Sequence, residues 1–157
     1  MSMVTRAFTS WAMAALLAAA GGGLALGAEP ASKDDAVAMV KKAVATIKAD
    51  GPGKAYPAID DQSGSFVAHD LYVVVYGLDG KVLAHGADKA RIGTNQMQAK
   101  DPDGKAFVKE RVELAAKQPS FWQEYKFMNP VSKKVEPKQM YCERLEATVV
   151  CAGIYKS

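Results

Sequence analysis

One stretch of the chain, residues 70–85, restricts the fold more than any other. It contains two β-branched and aromatic runs, Leu71–Tyr76 and Lys81–Ala84, separated by Asp79-Gly80. Glycine accepts the positive φ that a tight hairpin turn requires, so this pattern predicts an antiparallel β-hairpin.

Centring the turn on Asp79-Gly80 predicts which side chains share a face of the sheet. Tyr76 is then expected opposite Leu83, and Val74 opposite His85. One face combines aromatic and polar side chains: Tyr72, Val74, Tyr76, Leu83 and His85. The other is aliphatic and suited to packing against a helix: Leu71, Val73, Val75, Val82 and Ala84. The two faces are therefore expected to differ in chemistry.

The rest of the pattern predicts helices and strands in alternation. Apolar residues recur at helical spacing over residues 32–50, with a short helical turn expected at 54–59. A second helix is expected from Asp103 to Pro119, followed by a strand at 120–127 and a closing hairpin at 137–155. The order predicts an α+β fold with a five-stranded antiparallel sheet.

The first 28 residues have the composition of a secretory signal peptide. Arg6 precedes the apolar run Phe8–Leu17, and small residues follow it as far as Ala28. An uncleaved anchor is the alternative, although the glycines at 21–23 interrupt the run before about 20 apolar residues have accumulated. We expect cleavage after Gly27 or Ala28, leaving residues 29–157 as a single periplasmic domain.

The charge of the expected mature chain is close to balanced. The full sequence has 20 basic and 17 acidic residues, and removal of Arg6 leaves 19 basic residues. So small an excess, scattered along the chain, does not indicate a nucleic-acid surface. No apolar run after residue 28 is long enough to cross a bilayer, so no membrane span is expected after cleavage.

Cys142 and Cys151 are the two cysteines of the chain, and both lie in the closing hairpin. A turn centred at Glu146-Ala147 places them directly opposite each other, at a separation that a disulfide can bridge. Two free buried thiols are the alternative. A bridge would leave no thiol to act as a nucleophile.

The sequence contains no recognisable catalytic or metal-binding motif. His69 and His85 are not at metal-ligand spacing with another histidine or a cysteine. The paired acids Asp60-Asp61 and Asp101-Pro102-Asp103 lie in turn-like stretches, where aspartate bends and caps the backbone. We therefore predict that the protein is not an enzyme and that it has no catalytic residue, metal or cofactor.

Aromatic and basic residues are the candidates for a binding site. Tyrosine and tryptophan combine flat apolar surface with a polar tip, as in mostly apolar ligand pockets, and a cation could neutralise a bound anion. The candidate ligand-binding residues are Tyr72, His85, Trp122, Tyr125, Lys138 and Tyr141, with Tyr76 and Arg144 as further members. The alternative is that the aromatics form core and the cations are solvated. Strand alternation also gives Trp122 and Tyr125 opposite parity, as it does Lys138 and Tyr141.

The same segments resemble the single Cache domains, extracellular sensor modules of bacterial chemoreceptors and kinases. The central hairpin at 70–85 resembles theirs, as do Ile92-Gly93, residues 100–105 and Trp122–Lys126. The resemblance continues through Asn129-Pro130, Val135–Lys138, Tyr141 and Gly153–Tyr155, and so covers nearly the whole mature chain in order.

This resemblance implies a PAS-like fold, with a long N-terminal helix behind the sheet and a ligand on the opposite face. It also implies binding of a small organic acid. Residues matching recurrent family positions are Tyr72, His85, Tyr125, Lys138 and Tyr141. The receptors continue into a membrane helix, whereas this chain stops at Ser157. We therefore expect a free-standing periplasmic binding and sensing module with a membrane receptor or kinase as partner, and a homodimer is compatible with this. The alternative is a structural or protein-interaction module that keeps the fold without a ligand.

Overall fold

A computed structural model describes residues 29–156, so the predicted signal peptide at residues 1–28 lies outside the described residues. The described chain contains three helices: α1 (Lys33–Asp50), α2 (Pro52–Ile59) and α3 (Phe107–Lys117). It contains six strands: β1 (Val67–Ala68), β2 (Leu71–Gly77), β3 (Val82–His85), β4 (Ser120–Met128), β5 (Val135–Leu145) and β6 (Thr148–Tyr155). A 3₁₀ helix covers Lys89–Arg91.

Helix α1 begins where the sequence provides a strong cap. The Ser32 hydroxyl accepts a hydrogen bond from the Asp35 amide, and the Asp35 carboxylate accepts one from the Ser32 amide. This reciprocal arrangement satisfies amide groups that would otherwise lack partners in the first turn. Small and β-branched side chains then face the sheet, which allows a close approach: Ala36, Val40, Ala43 and Ile47.

All six strands pair antiparallel, with β1, β2, β6, β5 and β4 in spatial order and β3 paired with β2. The predicted α+β class and the five predicted strands are confirmed, and the two-residue β1 extends the sheet. We call the side packed on α1 the α1 face, and the side packed on α3 the tyrosine face. The α1 face is mainly aliphatic, with Leu71, Val73, Val75, Val150 and Ala152 buried there.

The central hairpin forms as predicted, but its register is only partly right. Val74 pairs with His85, as expected, whereas Tyr76 pairs with Val82 instead of Leu83 because of a bulge between Val75 and Tyr76. The bulge moves Val82 to the tyrosine face and turns Leu83 toward the α1 face. An extra residue on one strand shifts every later side chain by one position.

The closing hairpin has the predicted register. Leu145 pairs with Thr148 and Cys142 pairs with Cys151. The two cysteines form a disulfide with Cα atoms 4.1 Å apart, which confirms the predicted bridge. Both are fully buried on the tyrosine face.

Helix α3 begins at Phe107, four residues later than predicted from Asp103. Asp101 accounts for the difference, because its carboxylate accepts hydrogen bonds from the amides of Asp103, Lys105 and Lys126. The first two bonds hold residues 101–105 in a turn, and the third fastens that turn to the edge of β4. None of the helices within residues 29–156 is both long enough and apolar enough to cross a membrane.

Candidate functional site

The tyrosine face gathers polar and charged side chains that are almost completely buried. Tyrosine rings from β2, β4 and β6 line it: Tyr72, Tyr76, Tyr125 and Tyr155. Three residues with basic side chains lie among or beside these rings, and each is at most 2% exposed: His85, Arg111 and Lys138. Buried cations are costly unless they are paired, so their partners decide what this face can do.

Lys138 lies at the centre of the aromatic cluster. Its Nζ is 4.0 Å from the ring centroid of Tyr72 and 4.5 Å from that of Tyr155, with Phe127 at 5.8 Å. The Gly153 backbone makes room for the stem, since a Cβ there would lie 2.9 Å from Lys138 Cε. None of the four ion pairs found among residues 29–156 includes Lys138.

The hydrogen bonds around Lys138 converge on the hydroxyl of Tyr155. That hydroxyl donates to the Met128 carbonyl at 2.8 Å and accepts from Lys138 Nζ at 3.2 Å. The Tyr72 hydroxyl is also 3.2 Å away, and because the Tyr155 proton is already used, Tyr72 is the donor of that bond. An amine has at least two hydrogens, so Lys138 keeps donor capacity beyond its bond to Tyr155.

Burial also sets the protonation of this cluster. Burial, together with the nearby positive charge of Arg111, holds the pKa of Lys138 well below its ordinary value, although Asp70 acts in the opposite direction. Burial likewise raises the pKa of Tyr72 well above its ordinary value. An anion beside Lys138 would reverse part of this effect by favouring the charged amine.

His85 is held in one tautomer by the backbone. Its Nδ1 accepts hydrogen bonds from the amides of Ala87 and Asp88, at 3.2 and 2.9 Å, so the neutral ring carries its proton on Nε2. Burial lowers the pKa of His85 to about 3, with the positive charge of Lys138 as the next contribution. The ring lies against Tyr72, with centroids 5.2 Å apart.

A cavity of about 230 Å³ opens beside this cluster. Tyr72 and Phe127, two of the rings that contact Lys138, form its walls together with His85, and Arg91 and Lys133 lie on its lining. A larger groove of about 510 Å³ lies between α1 and β1, but its lining includes Glu29 and Asp35 and none of the buried cations. The smaller cavity has two basic side chains, Arg91 and Lys133, against one acid, Asp88, whereas the larger groove has one lysine against two acids, so the smaller cavity has the better charge balance for an acid. Lys138 contacts two walls of this cavity, Tyr72 and Phe127, and itself lines a neighbouring pocket of about 220 Å³.

Arg111 is the second buried cation of the tyrosine face. It projects from α3, is 0% exposed, and its Nε donates to the Gln123 side chain at 3.1 Å. Its Cζ lies 4.9 Å from the ring centroid of Tyr76 and 5.2 Å from that of Tyr125. Its Nη1 and Nη2 are buried without a hydrogen-bond partner within residues 29–156.

The structure brings some of the sequence-predicted residues together and separates others. Tyr72, His85, Tyr125 and Lys138 share the tyrosine face. Trp122 and Tyr141 lie on the α1 face instead, with ring centroids 5.3 Å apart, and Lys33 of α1 lies over Trp122. Strand parity explains this separation.

Sequence reasoning missed three side chains of this face, Tyr155, Phe127 and Arg111. Extending the register of the two cysteines along β5 and β6 places Tyr155 opposite Lys138, as observed. Phe127 has the parity of Tyr125 on β4. Arg111 occupies the helical stripe between Phe107 and Ala115, four residues from each, where a charged residue is unusual.

The fold packs one face of an antiparallel sheet against a long N-terminal helix and gathers buried tyrosines and basic side chains on the other face. The family model for single Cache domain 2 matches residues 28–156, and the chain belongs to this family. The resemblance seen in the sequence is therefore confirmed. Domains of this family are ligand-binding signalling modules that act outside the cytoplasm.

Solved structures support the same fold. A methyl-accepting chemotaxis protein from Vibrio parahaemolyticus is 23% identical, with 78% of this chain and 87% of that chain covered and a TM-score of 0.67. A periplasmic sensor domain of a chemotaxis protein is 22% identical, covering 79% and 90%, with a TM-score of 0.63. A Cache chemosensory domain described for its carboxylic acid recognition is 19% identical, covering 79% and 92%, with a TM-score of 0.68. A search among proteins of curated function returned no match.

Proposed function

We propose that this protein is an exported periplasmic module that binds a small organic acid and presents its bound state to a membrane receptor or kinase. In this proposal it catalyses no reaction. Residues 1–28 are the cleaved signal peptide, and residues 29–157 form the single binding domain. The candidate ligand-binding residues on the tyrosine face are Tyr72, His85, Tyr125 and Lys138.

The observation that carries the proposal is the incomplete pairing of Lys138. Lys138 is 1% exposed, its amine contacts aromatic rings and one hydroxyl, and no ion pair among residues 29–156 includes it. A carboxylate beside it would form a charge-assisted hydrogen bond, which is stronger than the bond to a neutral hydroxyl. The ligand that best completes this environment is thus an anion.

The adjacent cavity suits a small acid. Its volume of about 230 Å³ is below the usual range for drug-sized ligands, about 300–1,000 Å³, and its walls are aromatic. One of the similar structures is a Cache domain described for carboxylic acid recognition, which agrees with this ligand class. The fixed tautomer of His85 supplies a neutral Nε2–H donor to the same cavity.

A physical connection supports presentation of the bound state. The Tyr155 hydroxyl joins Lys138 to the Met128 carbonyl, and Met128 stands at the base of the turn between β4 and β5. Around this turn Met128, Val131 and Val135 are 47–49% exposed. A ligand that draws Lys138 away from Tyr155 would weaken the hydrogen-bonded link between the binding site and this exposed surface. We propose that the surface formed by Met128, Val131 and Val135 is the contact for a membrane partner.

The decisive experiment measures binding directly. A thermal-shift screen with short organic acids identifies a ligand, because a ligand specific for the folded state raises apparent stability. Calorimetric titration then compares the wild type with Lys138→Met and with the control Lys134→Met, an exposed lysine near the same strand. We expect Lys138→Met to weaken binding at least tenfold, the loss of one charge-assisted hydrogen bond of about 1.5–3 kcal/mol, with no change in the control.

Two other outcomes would redirect the interpretation. Equal affinity in wild type and Lys138→Met would remove this residue from the site. Absence of binding by the wild type across the screen would favour a structural or protein-interaction module, for which the exposed Met128, Val131 and Val135 would be the contact surface. Export is tested by intact mass: periplasmic protein beginning at Ala28 or Glu29 is expected, and membrane-bound protein retaining Met1 would contradict it.

A further inference from the structure

Arg111 brings a charge into the tyrosine face that it cannot lose. Lysine can lower the cost of burial by giving up its proton, whereas the guanidinium stays protonated in proteins. The Gln123 side chain accepts a hydrogen bond from Nε only, and the guanidinium lies over the rings of Tyr76 and Tyr125. The two terminal nitrogens, which form the fork that matches a carboxylate, are left without partners within residues 29–156.

Arg111 and Lys138 act on the same region of this face. Tyr125 is opposite Lys138 in the β4–β5 ladder, and its ring centroid is 5.2 Å from the Cζ of Arg111. The charge of Arg111 is also close enough to contribute, after burial, to the lowered pKa of Lys138. In a site that excludes water, the positive charge of Arg111 opposes protonation of Lys138, and an anion that contacts both groups would remove this opposition.

We infer that the tyrosine face binds an organic acid with two anionic groups, one held by the guanidinium fork of Arg111 and the other by the amine of Lys138. This inference rests on the proposed function and narrows its ligand class from small organic acids to short diacids. A single carboxylate would leave one of the two cations without a partner. Two carboxylates on a short chain pair both and remove their mutual repulsion.

The competing explanation is that Arg111 is purely structural. A guanidinium over aromatic rings is stabilised by their quadrupoles, and Arg111 has three such rings within 6 Å, those of Tyr76, Phe107 and Tyr125. A structural arginine would change the stability of the protein when replaced. It would not change the relative affinity for two ligands that differ only in charge.

The test therefore uses matched ligands. Malonate, succinate and glutarate are each compared with the corresponding monoamide, which keeps the length and replaces one carboxylate by a neutral group. Calorimetric titration at pH 7 is expected to give at least one diacid that binds the wild type tenfold or more tightly than its monoamide. In Arg111→Met this ratio is expected to fall to about one, while Lys109→Met, at an exposed lysine of the same helix, keeps the wild-type ratio.

Each outcome decides the inference. Equal affinity for diacid and monoamide in the wild type overturns it, as does an unchanged ratio in Arg111→Met. If circular dichroism shows that Arg111→Met does not fold, Arg111→Lys replaces it, since this variant keeps the charge without the fork and should lower the ratio. Binding of monoacids such as acetate without any preference for diacids overturns the inference but leaves the proposed function standing. Binding of no acid at all overturns the proposed function itself.

Discussion

On the α1 face of the sheet the buried side chains are mainly alanine, valine, leucine and isoleucine, with Phe66 and Tyr141 beside them, whereas on the tyrosine face they include four tyrosines, a histidine, a lysine and an arginine. Both faces are closed to water to a similar degree. Val40 and Val73 are 0% exposed on one side, and Lys138 and Arg111 are 1% and 0% exposed on the other. Burial alone therefore does not distinguish the two faces.

The difference between the faces is in what their side chains require. An aliphatic face needs only to exclude water, and each buried methylene group contributes about 0.8 kcal/mol to the stability of the fold. A buried cation also needs an anion or several hydrogen-bond acceptors as partners. The α1 face therefore satisfies itself, while the tyrosine face keeps unused donor capacity that a ligand can satisfy.

The largest expected effect comes from placing a cation on the α1 face. We expect Val73→Lys, on the α1 face, to lower the free energy of unfolding by more than about 4 kcal/mol, because its cross-strand neighbour is Ala152 and its surroundings are the aliphatic side chains that pack on α1. Chemical denaturation with circular dichroism measures this loss. Val131→Lys, at an exposed position, should change stability by no more than about 0.5 kcal/mol.

A stable, fully folded Val73→Lys protein would show that both faces tolerate a lysine equally. The environment of Lys138 would then not be special, and the case for a ligand there would be weaker. Such a result would also mean that the amine of the new lysine reaches solvent around α1.

Local rules were enough to predict the strands and the disulfide, because both depend on turn chemistry and parity. They failed at Tyr76 and Leu83, where the bulge depends on a distant segment. Val82 exchanges backbone hydrogen bonds with Gly93 and Thr94, at 2.8 and 2.9 Å, and this pairing with a loop is invisible in the hairpin itself. The start of α3 was displaced for a similar reason, since Asp101 bonds to the amide of Lys126 on β4.

The candidate site was harder to predict than the fold. Residue type suggested Trp122 and Tyr141 as readily as Tyr72, and only the position of each strand in the sheet separates them. Tyr155 could have been found by extending the cysteine register along β5 and β6. Arg111 could have been found as a charge on an apolar stripe, but its unpartnered nitrogens are a property of the packed structure.

Acid should destabilise the tyrosine face before it affects the α1 face. The folded pKa of His85 is about 3, below the ordinary value of 6.5, so between these values the unfolded chain binds more protons. The unfolding free energy therefore rises with pH through this window and falls on acidification. From pH 7 to pH 5 the expected loss from His85 is about 2 kcal/mol.

Geometry explains this loss and provides the control. A protonated Nδ1 could no longer accept the amides of Ala87 and Asp88. His85→Asn keeps a side-chain acceptor without titrating, so its stability should change less between pH 7 and pH 5. His69→Asn, at an exposed histidine, should behave like the wild type. Identical pH profiles for wild type and His85→Asn would show that folding does not lower the pKa of His85.

The smallest expected effect on stability is at Lys138, and it tests directly whether the buried lysine stabilises the fold as the valines of the α1 face do. Replacing a buried polar group and its single partner bond by an apolar side chain of similar length removes a desolvation cost, and methionine adapts to an irregular space. At pH 7 we expect Lys138→Met to leave the unfolding free energy unchanged within about 1 kcal/mol, or to raise it. The folded pKa of Lys138 is lowered, so the unfolded chain binds more protons above it, and the burial cost grows as the pH falls toward it. The advantage of Lys138→Met should therefore grow as the pH is lowered from about 10 toward the folded pKa, as denaturation at several pH values would show. A loss of more than about 2 kcal/mol at pH 7 would mean that Lys138 is a structural member of the core, like the valines of the opposite face, and would leave its buried amine without need of a ligand.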